Sequence, residues 1–403
     1  MSNRILITGA SVAGNTVAWW LSRFGFDVTV VERTSGFRDG GQNIDVRGVG
    51  RELLRRMGLE QTALDRGTGE EGTAWIDDQG NEIAKFVTDD LGADGPTAEM
   101  EILRGDLARL LYEPASERAR FRFGDQVEQI DDGADCAIVT FASGLTENYD
   151  AVIIAEGVGS QTRELVFPSE NEPRWMDLTI AYFTIPRQDD DDRMWRWYNA
   201  PKGRSISLRP DRHGTTRAML SIQQPPNGEQ DWDVEQQKAY LRDRFVDAGW
   251  QAPRVLAGME YTEDFYFDVL RQVHMKRWSR GHVVLTGDAA WCATPLAGIG
   301  ATLAVTGAYV LASEMKLNSA NMVQGFAAYE KAMRPMVKQG QGVPKIAPRI
   351  MNPHSKLGIH LLHSVLSVAS RPALRDIAAK LFASGPDAPD LSRYESLTHS
   401  ANS

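Results

Sequence analysis

Cysteine is scarce in this sequence. Its 403 residues include only two cysteines, Cys136 and Cys292, and they do not form a CxxC pair. A dithiol redox centre and a zinc site are therefore not expected, and since the seven histidines are scattered, no metal site is predicted. Two isolated cysteines are typical of a reducing compartment, which makes the cytoplasm the expected location.

The sequence also has fewer basic than acidic residues, and it has no long apolar segment. The 44 lysines and arginines are outnumbered by 54 aspartates and glutamates, which gives a net charge of −10. This balance argues against nucleic acid or an anionic membrane as the main partner, although it is compatible with a local basic pocket. The first apolar stretch, residues 4–9, ends in glycine and predicts a strand rather than a signal peptide. Since no apolar run has the length of a membrane span, no stable membrane insertion is expected.

The beginning of the chain has the pattern of a dinucleotide-binding unit. An apolar strand at 4–8 leads into a glycine turn and a helix at 14–25, and a second apolar strand follows at 27–31. Gly9 would allow the tight turn, Gly14 would let helix and strand pack closely, and the amides at the helix start would face a pyrophosphate. Glu32 ends the second strand, where a carboxylate can accept hydrogen bonds from ribose hydroxyls. Ser11 replaces the middle glycine of the usual GxGxxG pattern.

A second motif far downstream points to the kind of dinucleotide. A strand at 282–286 leads into Gly287-Asp288, Pro295 follows, and the turn Gly298–Thr302 opens a helix. A carboxylate at a strand end can bind a polyol, and amides at a helix start can hydrogen-bond the carbonyl groups of a heterocycle. A flavin and its ribityl chain have these groups, whereas a nicotinamide would not need them. The two motifs together therefore predict FAD.

The chain length and a change of pattern near residue 174 predict two interleaved domains. The predicted boundaries are 1–173 and 276–340 for the cofactor-binding domain, 174–275 for a substrate-binding sheet, and 341–403 for C-terminal helices and a tail. Strands in the second domain are predicted at 178–185, 193–198, 204–209, 215–222 and 263–270, with a helix at 233–248. Further helices are predicted at 300–316, 322–338 and 355–382, followed by a polar tail at 384–403.

Five motifs in this order resemble the class A flavoprotein monooxygenases, the para-hydroxybenzoate hydroxylase-like family of FAD-dependent enzymes. They are Gly9–Gly14, Glu32-Arg33, Leu103–Leu107, Asp150–Arg163 and Gly287–Gly300, within about the first 340 residues. Their local variants are similar to a branch near the tetracycline-modifying and polyketide-tailoring monooxygenases. The resemblance implies an α/β fold with an α+β second domain. A Rossmann-type FAD-binding domain would be interleaved with a mixed β-sheet substrate domain and followed by C-terminal helices.

The resemblance also implies a reaction. FAD would be reduced by NADPH or NADH, react with O2 to give a C4a-hydroperoxide, and hydroxylate an aromatic or polyketide-like small molecule. Because the flavin carries this chemistry, no catalytic side chain is assigned. In the family pattern, Glu32 would bind the adenosine ribose, Arg104 would lie along the flavin and Asp288 would bind the ribityl chain. Residues 300–302 would lie by the pyrimidine edge. The expected cofactor-binding residues are Gly9, Ser11, Val12, Ala13, Gly14, Glu32, Arg33, Arg104, Val127, Asp288, Pro295, Gly298, Gly300, Ala301 and Thr302.

Besides Ser11, three residues depart from the family pattern. Ile154 and Glu156 stand where glycine and aspartate are usual, in a segment that the family uses for both flavin and NAD(P)H. Trp291 stands where a histidine is usual, so no proton donor is present at that position. The choice between NADPH and NADH stays open.

The substrate pocket is expected between the cofactor-binding domain and the second sheet. Arg47 and Arg209 could meet an anionic or phenolate group, or they could form ordinary ion pairs. Gln42 is a further candidate at the flavin. Alternation along a strand would place Trp195 with Trp197, and Phe265 with Phe267, on one face, where they could serve either the pocket or the core. The substrate candidates are Arg47, Trp195, Trp197, Tyr198, Arg209, Met219, Phe265, Phe267 and Pro295.

Two other functions are compatible with the same motifs. An FAD-dependent dehydrogenase would reduce flavin without oxygenating a substrate, and a flavin-containing drug-binding protein would show little turnover. A flavin-dependent halogenase is disfavoured because residues 195–201 lack the Ile-Pro of that family's tryptophan motif. The position oxidised, hydroxylation versus Baeyer–Villiger oxidation, and monomer versus homodimer are all left open.

Overall fold

The computed structural model describes residues 3–37, 40–87, 100–371 and 387–401. Its strands, numbered in chain order, are β1 (Arg4–Thr8), β2 (Asp27–Glu32), β3 (Asn43–Asp45), β4 (Gly72–Ile76), β5 (Glu82–Val87), β6 (Glu101–Leu103), β7 (Arg120–Phe123), β8 (Val127–Asp132), β9 (Ala137–Phe141), β10 (Thr146–Tyr149), β11 (Ala151–Ile154), β12 (Arg174–Pro186), β13 (Met194–Ala200), β14 (Arg204–Pro210), β15 (Thr215–Gln223), β16 (Tyr266–Gln272), β17 (Ser279–Arg280) and β18 (Val283–Leu285). Its α-helices are α1 (Val12–Arg23), α2 (Val49–Arg56), α3 (Glu60–Asp65), α4 (Arg104–Ser116), α5 (Gln161–Val166), α6 (Val234–Phe245), α7 (Ala252–Tyr261), α8 (Asp288–Trp291), α9 (Gly300–Leu317), α10 (Met322–Gly340), α11 (Ala347–Met351), α12 (Lys356–Ala369) and α13 (Glu395–Ala401).

The first sheet carries the cofactor motifs. It has six strands in the order β17-β18-β11-β1-β2-β7, and only the pair β17–β18 is antiparallel. Every residue of β11 and β18 is buried, which is the pattern of strands in a parallel sheet covered on both faces. The unit β1–α1–β2 is present where the sequence predicts it. The α/β class and the mixed second sheet are both confirmed.

The second sheet has seven strands in the order β16-β12-β15-β14-β13-β4-β5. On its outer face, apolar residues of β13, β14 and β15 pack with α6 and α7 into a separate core, which includes Ile206, Leu220 and Phe245. The strands β4 and β5 come from residues 72–87, which the sequence prediction placed in the cofactor-binding domain, so the boundary needs correction. The physical reason is that β4 is buried along its whole length, and it obtains a partner on each side by pairing with β13 and β5.

Three C-terminal or helical features differ from the prediction. Helix α7 was not predicted; Gly249, with φ +89°, ends the preceding segment, and Pro253 lies in the first turn of the new helix. Helix α12 ends at Ala369, and the remainder of the predicted helix up to 382 lies largely outside the described residues. The predicted polar tail contains α13 and a buried tyrosine, Tyr394, whose hydroxyl donates a hydrogen bond of 2.6 Å to Glu314. Among the described helices, none is both long and apolar enough to cross a membrane.

Candidate active site

The glycine turn after β1 lines one end of a large cavity. Gly9 has φ +98°, and a Cβ atom there would lie 2.6 Å from the carbonyl oxygen of Ala155. A Cβ atom on Gly14 would lie 1.9 Å from the carbonyl oxygen of Gly9, so only glycine lets α1 pack this closely on the turn. Ser11 is the N-cap of α1, and its hydroxyl accepts a hydrogen bond of 3.0 Å from Nη1 of Arg104. The residue that replaces the middle glycine therefore ties the turn to the start of α4.

Glu32 at the end of β2 faces the same end of the cavity. Its Oε2 accepts a hydrogen bond of 3.0 Å from the amide of Ala10. Its Oε1 accepts hydrogen bonds of 3.1 Å from the amide and the hydroxyl of Thr34. These bonds hold the carboxylate beside the glycine turn, which is where the sequence pattern requires a ribose-binding acid.

The Gly-Asp motif after β18 packs directly against the first helix. Gly287 has φ +59°, and a Cβ atom there would lie 2.8 Å from Cβ of Ala13. The side chain of the next residue, Asp288, lines the cavity and is exposed there. Desolvation by the surrounding protein raises the pKa of Asp288 to about 6, and the nearby positive charge of Arg104 acts in the opposite direction. Asp288 thus offers an accessible carboxyl group to the cavity.

The start of α9 lies beside residues 41–47. The helix begins at Gly300, and Oγ1 of Thr302 accepts a hydrogen bond of 3.0 Å from the amide of Arg47. Gly41 has φ +137°, and a Cβ atom there would lie 2.8 Å from Nε of Arg104. The absence of a side chain at Gly41 therefore makes room for the arginine that reaches the cavity.

Glu156, which replaces the usual aspartate, has a local structural role. Its Oε2 accepts hydrogen bonds from the hydroxyl of Ser160 at 2.7 Å and from the amide of Thr162 at 3.1 Å. The longer side chain therefore reaches the N-terminal end of α5 and satisfies donors there. Ile154 is the last residue of β11, where it is fully buried and paired with Leu285 of β18.

Trp291, which replaces the usual histidine, belongs to the core. Its ring centroid lies 4.5 Å from that of Trp278 and 5.9 Å from that of Tyr329. A Cβ atom on Gly307 would lie 2.7 Å from the Trp291 ring, so a glycine on α9 accommodates the indole. The departure from histidine is therefore a packing feature of the region behind the cavity.

The inner face of the second sheet forms another wall of the cavity. Trp195 and Trp197 alternate on β13 and line the cavity with ring centroids 5.1 Å apart, as strand periodicity predicts. Met219 on β15 lines the same cavity. Trp197 also stacks on Trp75 of β4 at 6.4 Å. An aromatic and largely apolar wall thus borders the same cavity as the two cofactor motifs.

Arg209 carries a buried ion-pair network at the edge of this wall. Its Nε donates to Glu70 at 2.7 Å, and its Nη2 lies 2.9 Å from a carboxylate oxygen of Glu101. Burial raises the pKa of Glu70, while the neighbouring Arg209 lowers it. Arg47 pairs in the same region with Asp45 at 2.9 Å. Both candidate arginines therefore have carboxylate partners within the protein.

Three predicted site residues, Tyr198, Val127 and Gly14, do not line the cavity. Tyr198 faces the helical side of the second sheet, where its hydroxyl donates a hydrogen bond of 2.7 Å to the carbonyl oxygen of Ala248. The correction follows from strand alternation, since Tyr198 must point opposite to Trp197. Val127 is buried in the core around the first sheet. Phe265 and Phe267 reach the cavity but also pack against the core on the helical side, with ring centroids 6.4 Å apart.

Some residues of the inner wall were missed from the sequence. Tyr182 on β12 lies opposite Tyr266 on β16, and their rings are 6.5 Å apart. The hydroxyl of Tyr266 donates to Asp268 at 3.1 Å, and Asp268 also accepts a hydrogen bond of 2.9 Å from Arg271. The sequence carries only a weak signal for these wall residues, because their meeting depends on the register between two strands about 85 residues apart in sequence.

The glycine turn, Glu32, Asp288, the start of α9 and the inner wall of the second sheet border one cavity of about 2100 Å³. Gly14 lies outside it because its role is helix packing, and Val127 lies in the core. The predicted cofactor residues on its walls are Gly9, Ser11, Val12, Ala13, Glu32, Arg33, Arg104, Asp288, Pro295, Gly298, Gly300, Ala301 and Thr302. The predicted substrate residues on its walls are Arg47, Trp195, Trp197, Arg209, Met219, Phe265, Phe267 and Pro295, and Gln42 lies there as well. Close glycine approaches, an arginine and a carboxyl group on the walls of one cavity of this volume fit an FAD-sized ligand.

Comparison with known proteins agrees with this geometry. Residues 3–340 match the FAD binding domain family. The FAD-dependent monooxygenase asL6 of Sarocladium schorii is 30% identical over 425 residues, with 100% of both chains covered. Monooxygenase CTB7 of Cercospora beticola is 34% identical over 388 residues and 92% of each chain. The crystal structure of tetracycline destructase Tet(51) is similar with a TM-score of 0.80 and 30% identity, over 96% of this chain and 100% of that chain. The chain belongs to the FAD binding domain family of flavin-dependent monooxygenases.

Proposed function

We propose that this enzyme uses NAD(P)H and O2 to hydroxylate an aromatic or polyketide-like small molecule. The observation that carries the proposal is the continuity of the cavity, which is lined by the glycine turn at Gly9, by Asp288 and by the tryptophans of β13. When bound, FAD would supply the oxygen-activating chemistry that the protein's side chains lack. The protein would bind and orient both molecules and exclude water.

Specific residues would hold the cofactor. Glu32 would accept hydrogen bonds from the adenosine ribose, and the amides at the start of α1 would face the pyrophosphate. Arg104, which is positioned by Ser11, would lie along the flavin and its ribityl-phosphate arm. Asp288 would accept hydrogen bonds from the ribityl chain, and the amides of residues 300–302 would meet the pyrimidine edge. These roles require no change in the hydrogen bonds that already fix Glu32 and Ser11.

The inner wall of the second sheet supports a neutral aromatic substrate. Trp195, Trp197 and Met219 offer apolar and aromatic surface to the cavity. The nearby charge of Arg209 is compensated by Glu70 and Glu101, so no anionic group on the substrate is needed to balance it. Tet(51) is called a tetracycline destructase, so tetracycline-like polyketides and simpler phenols are the first compounds to test.

The flavin and the oxygen transfer can be tested together. Purified protein would be examined for an FAD spectrum, then for oxidation of NADPH and of NADH with each compound, and then for 18O from labelled O2 in the product. We expect bound FAD, substrate-accelerated oxidation and one labelled oxygen atom per product. The position of the label distinguishes ring hydroxylation from insertion next to a ketone. Failure to bind FAD after reconstitution, or accelerated oxidation without labelled product, contradicts the proposal.

The drug-binding alternative has lost part of its support. Among the sequence features, only Glu156 and Trp291 suggest the altered reactivity of such a protein. Glu156 accepts hydrogen bonds at the start of α5, although it also lines the cavity, and Trp291 packs against Trp278 and Tyr329, so both departures have structural explanations. The labelling experiment separates the proposed monooxygenase from both the dehydrogenase and the drug-binding protein, since neither of these transfers oxygen from O2 to a product.

A further inference from the structure

A patch of apolar side chains is exposed on the C-terminal helices. Leu357 is 79% exposed and Leu361 is 65% exposed, values more typical of charged residues. Six of the fifteen large hydrophobic side chains that are exposed among the described residues lie within this one stretch of 23 residues. We call these six the apolar patch: Ile346, Ile350, Leu357, Leu361, Val365 and Val368.

The packing of α12 against the second sheet leaves the apolar patch exposed to solvent. The spacing of Leu357, Leu361 and Val365 by four residues places them on one face of α12. Elsewhere on the helix, Leu366 and Ala369 pack against the cluster of Trp75, Ala84 and Phe86. His363 is also buried, with its ring nitrogen 3.3 Å from Oδ1 of Asn199. The contact with the sheet therefore fixes the orientation of the helix and leaves its apolar face in solvent.

The charge around the patch has the opposite sign to that of the whole chain. Residues 331–371 contain seven lysines and arginines and no aspartate or glutamate, although the complete chain carries a net charge of −10. Three of these basic residues, Lys345, Arg349 and Lys356, are exposed beside the patch. Lys345 also lies 3.8 Å from Asp177 on the neighbouring sheet. An exposed apolar face bordered by basic residues is the pattern of a helix that lies in the plane of a membrane interface.

We propose that the apolar patch binds the surface of an anionic phospholipid membrane. Leucine, isoleucine and valine side chains would enter the acyl boundary, while the basic residues would meet the lipid phosphates. A second copy of this chain is a poorer occupant, because a two-fold contact would bring the same exposed basic residues close to one another. This binding is peripheral, so it is consistent with the lack of a membrane-spanning helix among the described residues. The expectation from net charge that an anionic membrane is not a main partner concerns the whole surface, whereas this proposal depends on the local reversal of charge.

The patch is also close to the substrate cavity. Val343, Ala347 and Met351 line the cavity, while Ile346 and Ile350 in the same segment are exposed. A single layer of chain therefore separates the cavity from the proposed lipid surface. This placement suits an enzyme that receives apolar compounds from a membrane, provided that the function proposed above is correct; the binding itself does not depend on it.

The test uses the complete flavin-loaded protein and sedimenting vesicles. One set of vesicles contains phosphatidylcholine only, and the other contains equal parts of phosphatidylcholine and phosphatidylglycerol. We expect binding to the anionic vesicles, release by high salt because surface charges are screened, and little binding to the neutral ones. The variant Leu357→Glu/Leu361→Glu should lower the partition coefficient by about tenfold or more. The matched control Val246→Glu/Tyr261→Glu changes two other exposed apolar residues, 71% and 89% exposed, and should bind like the unchanged protein.

Thermal unfolding and the flavin spectrum would first establish that both double variants fold. Equal vesicle binding by both double variants, or no binding by the unchanged protein, overturns the proposal. Sedimentation velocity without lipid distinguishes membrane binding by the patch from self-association through it. A dimer that dissociates in Leu357→Glu/Leu361→Glu, combined with no vesicle binding, would assign the patch to self-association and would also overturn the proposal.

Discussion

The guanidinium carbon of Arg209 lies 4.0 Å from the ring centroid of Trp195. The same guanidinium donates to Glu70 at 2.7 Å, and the side chain of Glu70 is fully buried. One arginine therefore links an internal carboxylate to the aromatic wall of the cavity. Its position indicates that Arg209 supports the shape of the pocket, whereas the sequence alone left open a direct contact with an anionic substrate.

Replacement of Arg209 by methionine should destabilise the protein. Glu70 and Glu101 would lose their common cation, and removal of one partner from a buried ion pair costs about 3 kcal/mol or more in the free energy of unfolding. Urea denaturation measures the change. Arg193→Met is a matched control, since Arg193 and Glu71 lie 3.9 Å apart and both are more than 60% exposed; it should change the free energy by less than about 1 kcal/mol. Equal losses in the two variants would show that the buried network does not contribute beyond a surface pair.

Two adjacent residues of β13 should have separable effects. Trp197 lines the cavity, whereas Tyr198 bonds to Ala248 on the other side of the sheet. Trp197→Ala should raise KM for an accepted substrate by about tenfold, equivalent to roughly 1.4 kcal/mol of binding, because it removes aromatic contact surface. Tyr198→Phe should leave KM and kcat unchanged and lower the free energy of unfolding by about 1 kcal/mol. Steady-state kinetics and urea denaturation of both variants test this; a larger KM change in Tyr198→Phe would contradict the assignment of faces.

The parts of the site that the sequence predicted are those encoded by short-range spacing. The turn from Gly9 to Gly14 and the Gly287-Asp288 pair need only a few neighbouring residues to fix their backbone, so their pattern is visible in one sequence. The alternation of Trp195 and Trp197 is likewise local. The same periodicity, applied one residue further, would have turned Tyr198 away from the cavity.

The parts that were missed depend on contacts between distant segments. Tyr182 meets Tyr266 only because β12 and β16 pair in a particular register. The strands β4 and β5 join the second sheet through the parallel pairing of Trp75 with Trp197, across more than one hundred residues. A helix at 355–382 was predicted from the sequence, but the exposed apolar face of α12 depends on the side of the helix that packs against the sheet through Leu366, and this contact is tertiary.

The close packing of Gly14 on the glycine turn predicts that one added methyl group at this position weakens FAD binding. In Gly14→Ala the new Cβ would lie 1.9 Å from the carbonyl oxygen of Gly9, so the turn or α1 must move. FAD affinity should fall at least about tenfold, since the helix start is expected to face the pyrophosphate. Gly36→Ala is the control, because a Cβ atom there meets nothing within 4 Å. Fluorescence titration with FAD compares the two; unchanged affinity in Gly14→Ala would contradict the proposed cofactor position.

Asp288 predicts the pH dependence of FAD binding. Its side chain is accessible from the cavity, but the surrounding protein desolvates the carboxyl group and raises its pKa in the free protein to about 6. If the ribityl hydroxyls donate to the carboxylate, FAD binds the deprotonated form, and below this pKa a proton must be released for binding to occur. The apparent affinity should therefore be constant above the pKa and fall by up to about tenfold for each pH unit below it. Asp288→Asn should bind FAD more weakly and without this dependence, because an amide does not titrate. The fluorescence of released FAD measures the apparent affinity of both proteins as a function of pH. If the affinity of Asp288→Asn falls below the pKa with the same slope as that of the unchanged protein, another group controls FAD release.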